Sequence, residues 1–142
     1  MTIDDIRADF ALLDDWEDRY RYVIELGRAL PPLPDGLRTP ANKVSGCASQ
    51  VWLATEHLKN SGDPKSDRMR MQGTSDAHIV QGLIAVLFAI YDGKTLDEIV
   101  RTDAEGIFSE LGLKEHLTQQ RSNGLASMVK RIRADAELML AA

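Results

Sequence analysis

The run from Ala77 to Tyr91 constrains this chain more than any other stretch. Ile79, Val80, Leu83, Ile84, Val86, Leu87, Phe88 and Ile90 leave a helix there almost no polar face. Such a helix must be covered on most sides by the rest of the molecule. No apolar run in the chain reaches the ~18 residues that a bilayer crossing needs, so this one is read as the central helix of a globular core. Asp92 and Gly93 supply its stop.

A chain of 142 residues, 44% apolar and 27% charged, can cover that helix within a single domain, 1–142. A domain of this size buries roughly 68–70% of the surface its unfolded chain exposes, so folding requires neither a metal nor a disulfide. The one cysteine cannot form a bridge within the chain, which points to a reducing, aqueous compartment, the cytoplasm. The opening residues MTIDDIRADF carry acids where a secretory signal carries a basic and then an apolar stretch, so secretion is not expected.

The net charge of −5 is unevenly spread: residues 1–20 hold seven acids against two arginines, whereas residues 119–142 hold four bases against two acids. Phosphate neutralisation needs a clustered cationic face, and Lys130, Arg131 and Arg133 make only a small one. They read as a solvated helix face, and no nucleic-acid partner is expected.

The remaining pattern is helix, helix, loop, small sheet, helices. Thr2 can cap a first helix carrying Ile3, Ile6, Phe10 and Leu13, and Asp14 with Glu17 resembles a looser capping box for a second. Trp16, Tyr20, Val23, Ile24 and Gly27 share a face of that second helix, which Pro31 and Pro32 stop at or just before Leu30. From Ser49 the period drops to two: Val51, Leu53 and Thr55 alternate with Gln50, Trp52 and Ala54, and Arg68 to Gln72 alternates likewise. The turn-rich cluster from Asn60 to Pro64 joins these segments into an antiparallel pair with one wet face, with room for a third short strand. Thr95 with Glu98 and Thr102 with Glu105 open two more helices. A final helix from about Ser122 to Leu140 places Leu125, Met128, Val129, Ile132, Ala136 and Met139 at helical spacing. The fold class is α+β, a small antiparallel sheet packed with several helices.

Cys47 falls on the loop entering the first strand, within Pro40 to Gln50. Gly46 opens backbone angles closed to other residues, and Ser45, Ala48 and Ser49 leave room beside the sulfur. A free thiol titrates near ~8.5 and is mostly protonated at neutral pH unless a cation lies close; Lys43 is nearest in sequence, and folding could bring up Arg121. The same segment also suits a cysteine that is merely a small buried hydrophobe. Trp16 and Trp52 read as packing, the five methionines as core filler, and His57, His78 and His116 as surface or satisfied side chains. One thiol with three scattered histidines has no metal-ligand spacing, no hydrolase signature surrounds Cys47, and neither phosphate-binding glycine motif occurs.

The stretch Ser45, Gly46, Cys47, Ala48, Ser49, Gln50, Val51, Trp52 resembles the S-G-C-x-S-Q-V-W signature of the SufE family, sulfur acceptors that serve cysteine desulfurases in iron–sulfur cluster assembly. WEDRYRYVIELGRALPPL from Trp16, SDAHIVQGLIAVLFAIYDG from Ser75 and LTQQRSNGLASMVKRIRA from Leu117 extend the likeness over nearly the whole chain. The resemblance implies a fold like the U-type scaffold proteins and a homodimer. It implies that Cys47 takes a persulfide sulfur from a PLP-dependent desulfurase of Suf or Csd type and delivers it to an iron–sulfur scaffold complex. This chain would be a sulfur carrier needing no cofactor of its own, and not an independent enzyme. Ser45, Gly46, Ser49, Gln50 and Trp52 would support the loop or the partner contact. Arg121 is implied to lie at the partner surface or near the sulfur, and Asp76 to influence how the loop docks. Ala48 departs from the glutamine frequent after the cysteine, which removes an amide from that position. Three other readings remain open: a Csd-type acceptor feeding another sulfur pathway, a desulfurase regulator that never holds sulfur, and a small cysteine hydrolase.

Overall fold

The structure, a computed structural model, describes residues 1–60 and 62–142. Its helices are α1 (Ile3–Ala11), α2 (Trp16–Arg28), α3 (His78–Tyr91), α4 (Leu96–Arg101), α5 (Ala104–Glu110) and α6 (Gln119–Ala141), and its strands are β1 (Val51–Leu58) and β2 (Arg68–Ser75). The expected α+β architecture is present: the strands pair antiparallel, Val51 opposite Ser75 through Leu58 opposite Arg68. Among the described residues no third strand forms; what occurs instead are isolated bridges, Lys43 to Trp52 and Arg68 to Thr95. Ser61, part of the turn cluster expected between the strands, lies outside the described residues.

Helix α3 is the centre of the core, with Ile79, Val80, Leu83, Ile84, Val86, Leu87 and Ile90 all buried and Phe88 partly so. Helix α2 crosses it at backbone contact: a methyl on Gly27 would come 2.6 Å from the Gly82 amide nitrogen. One sheet face packs on this core through Val51, Leu53 and Met69, while Glu56 and Arg70 on the other face meet water. The burial of α6 follows its expected stripe, from Gly124 and Leu125 to Ile132 and Ala136.

Several sequence-based boundaries shift. Thr2 and Thr95 form full capping boxes with Asp5 and Glu98. The second helix is capped by Asp15 rather than Asp14, and α5 by Asp103 rather than Thr102, because in each case the adjacent carboxylate reaches the third amide of the helix. Helix α6 begins at Gln119, earlier than expected, with the Thr118 hydroxyl accepting from the Arg121 amide. Tyr20 leaves the buried face of α2 and is 43% exposed. Leu13 lies beyond the end of α1.

Candidate functional site

The cysteine loop is closed at its base before its tip is considered. The Val44 amide donates to the Val51 carbonyl at 2.9 Å, and Val44 is buried. On the other side, the Gln50 amide donates to the Asp76 carboxylate at 3.0 Å, and the Asp76 amide returns a bond to the Gln50 carbonyl at 3.3 Å. Asp76 precedes α3 without capping it; the N-cap position is Ala77, with no side-chain bond. The carboxylate expected to influence loop docking is therefore bonded to the loop itself.

Between these ties the loop lies against the first turns of α6. Gly46 adopts φ +87°, where other residues are strained, and a Cβ there would overlap the Ser127 hydroxyl. The Cys47 thiol is half-buried and donates to the Gly124 carbonyl at 3.6 Å. A methyl on Gly124 would meet Sγ at 3.4 Å, an ordinary van der Waals contact, so the loop packs directly on this turn of the helix. Cys47 opens onto a cavity of about 210 Å³ floored by Val80, Leu83, Leu125 and Met128, with Ser49, Thr118, Gln120 and Arg121 also lining it. Burial pushes the thiol pKa up, so the resting side chain carries its proton.

Folding does bring Arg121 to the cysteine cavity. Lys43, the nearest cation in sequence, is directed elsewhere: its ammonium stands 5.8 Å from the centre of the Trp52 ring, and the Arg38 guanidinium is 5.7 Å from the same ring. Ser45 and Gly46 face a second cleft, shared with Lys43, Ser127, Lys130 and Arg131. The structure thus gathers Ser45, Gly46, Cys47, Ser49, Gln50, Trp52, Asp76 and Arg121 about one loop.

Residues 4–136 match the family model described as SufE, Fe-S metabolism associated domain. The chain belongs to the SufE family. An uncharacterised SufE-like protein of Rhizobium etli is 60% identical over 141 residues, covering 99% of this chain and 93% of that one. A second, from Rhizobium meliloti, is 55% identical over 136 residues, with 96% and 95% covered. The solution structure of a hypothetical protein from Thermus thermophilus shares the fold over 100% of both chains, at a TM-score of 0.74 and 20% identity. Membership of the SufE family links this chain to sulfur transfer with a cysteine desulfurase.

Within this SufE-family site, sequence reasoning missed Gly124, Thr118 and Ser127. A glycine interrupting a strong helix pattern was the available signal for Gly124, since glycine in a helix interior calls for a packing reason. The histidines behave as expected of satisfied or surface groups. His57 bonds Asp67 at 2.8 Å, His116 stacks on Trp16 at 3.6 Å between centroids, and His78 is exposed. Among the described residues no group of metal-binding side chains converges, and no helix is long and apolar enough to cross a membrane.

Proposed function

We propose that this chain accepts a sulfane sulfur on Cys47 from a PLP-dependent cysteine desulfurase and delivers it for iron–sulfur cluster assembly. The observation that carries this reading is the setting of its only thiol. Cys47 is protonated and half-covered at rest, on a loop tied at its base through Gln50 and Asp76 and held at its tip by a thiol contact.

Transfer starts when docking draws the loop off α6. The thiol then leaves its covered site, its pKa falls toward the ordinary range, and its proton passes to water or to a base of the donor. The Cys47 thiolate attacks the outer sulfur of the donor's persulfide. The bond between the donor's two sulfurs breaks, the donor cysteine departs as thiolate, and the outer sulfur keeps its proton as Cys47–S–SH. No redox equivalent is consumed. Arg121, at the cavity, is placed to meet the partner or the anionic sulfur, and Asp76 sets the loop's base through Gln50. Return of the loop against Gly124 removes the loaded sulfur from stray thiols.

Incubation with desulfurase, PLP and cysteine, followed by non-reducing mass spectrometry, tests the reading. The peptide holding Cys47 is expected to gain one sulfur atom, and Cys47→Ser is expected to gain none. An unmodified peptide alongside accelerated desulfurase turnover would make the chain a regulator that never holds sulfur.

A further inference from the structure

Only some of the basic side chains in this acidic molecule are held by carboxylates. Away from the cysteine loop, Arg7, Arg21, Arg28, Arg70, Arg101 and Lys114 each pair with an aspartate or glutamate, whereas Lys59 and Lys65, at the far end of the hairpin, pair with none among the described residues. Around the loop, Arg38, Lys43 and Lys130 are exposed, and among the described residues no carboxylate pairs with any of them. Arg131, in the same cleft as Lys43 and Lys130, does not join them, because Asp135 neutralises it at 3.0 Å.

What distinguishes Arg38, Lys43 and Lys130 is their place around the loop. Lys43 and Lys130 line the cleft of about 410 Å³ that opens beside Ser45 and Gly46. Arg38 lines a different cleft, of about 330 Å³, which reaches Asp76 on the other flank of the loop. Trp52, immediately beyond the loop's base, holds Arg38 and Lys43 over its ring, and such contacts order a cation without neutralising it. A free fold gains little from holding three like charges around one loop. The arrangement becomes favourable when negative charge is brought to it.

We infer that Arg38, Lys43 and Lys130 form a cationic rim, positioned in part by Trp52, that recognises a carboxylate-bearing face on the sulfur-donating protein and steers it onto the Cys47 loop. The inference rests on the proposed carrier role and names the chemistry of the partner's contact face. Complementary charge at an exposed rim acts chiefly on the rate of encounter. The chain's net charge of −5 opposes polyanions in general, so nucleic acid is the poorer occupant. These three residues touch no reacting atom; their role is positioning.

The test is stopped-flow association of the intact chain with the purified, PLP-loaded cysteine desulfurase of its source organism. Between about 0.05 and 0.5 M NaCl, which shortens the screening length several-fold, the association rate is expected to fall at least ~10-fold. Lys43→Glu with Lys130→Glu should slow association about tenfold at low salt and flatten the salt dependence. Lys43→Arg with Lys130→Arg should restore both. Lys59→Glu with Lys65→Glu, at the far end of the hairpin, should behave as wild type. Loading of Cys47 from glutathione persulfide, which needs no docking surface, should be equal in all variants. A salt-independent rate, or charge-reversed variants that associate like wild type, would overturn the rim. Displacement of the desulfurase by polyuridylate would also overturn it, revealing a general polyanion surface. Failure of Cys47 in the wild type to gain a sulfur from the bound desulfurase supplied with cysteine would instead strike the carrier reading.

Discussion

The two ends of the β-hairpin are held in opposite ways. At the turn end, Asp67 is 4% exposed and accepts the Asn60 amide at 2.7 Å and His57 at 2.8 Å, while its carbonyl accepts the Leu96 amide at 2.8 Å. At the cysteine end, the tie is the exposed carboxylate of Asp76 on the Gln50 amide, and the tip rests on a thiol donor, the weakest kind available to a side chain. Water cannot substitute for the partners of a buried carboxylate but readily substitutes for those of an exposed one. The hairpin therefore has a locked end, which fixes β1 and β2 on the core, and a releasable end, which carries Cys47.

The largest effect that would break this contrast concerns the locked end. Asp67→Ala removes the buried acceptor that the Asn60 amide and His57 share, and the Tm at neutral pH should fall by on the order of 10 °C, with native-state alkylation of Cys47 nearly unchanged. The Asn60 amide bond first, and then His57, hold the Asp67 carboxyl below its ordinary value. Its contribution is thus present above the unfolded carboxylate pKa of about 3.9 and is lost as pH falls through the lower folded value. Thermal scans across acid pH should show that loss in wild type and not in the variant; matching curves would remove the lock.

A middle-sized effect sharpens the releasable end. Gly46→Ala meets both a strained φ and the Ser127 side chain, so the loop should lift from α6. Iodoacetamide should then react with Cys47 roughly 3–10-fold faster, with its pH midpoint lowered toward the ordinary thiol value of about 8.5. Slower reaction would mean that the tip is held by more than the thiol contact. The smallest effect belongs to Gly124→Ala, whose methyl would sit at ordinary contact distance, 3.4 Å from Sγ and 3.7 Å from the Cys47 Cβ. Alanine favours the helix by about 1 kcal/mol, so the Tm should rise about 2–4 °C while alkylation slows about twofold. Faster alkylation would show that the methyl displaces the loop.

Where physics is local, the sequence was legible. The apolar run of α3, the alternation of β1 and β2, the cap at Thr2 and the box at Thr95 depend on neighbours a few residues away, and each formed as read. Adjacent acids blurred the start of α2, since Asp14 and Asp15 offer the same chemistry one residue apart. Thr118 escaped because its third helical residue is Arg121, which cannot complete a capping box. The cysteine motif drew attention to the right loop, but nothing local announced Asp67, whose partners lie at 57, 60 and 96. Nor could spacing assign Lys43, which chooses the Trp52 ring over the thiol only after β1 has folded back on residues 43–44.

Cys47 has no second thiol in the chain with which to react. In the proposed carrier role, a sulfur atom received there could not be expelled by disulfide closure inside the same molecule and would depart only by collision with something else. On that proposal each copy would ferry a single atom per journey, and the flow of sulfur would scale with how many copies exist and how often they change hosts.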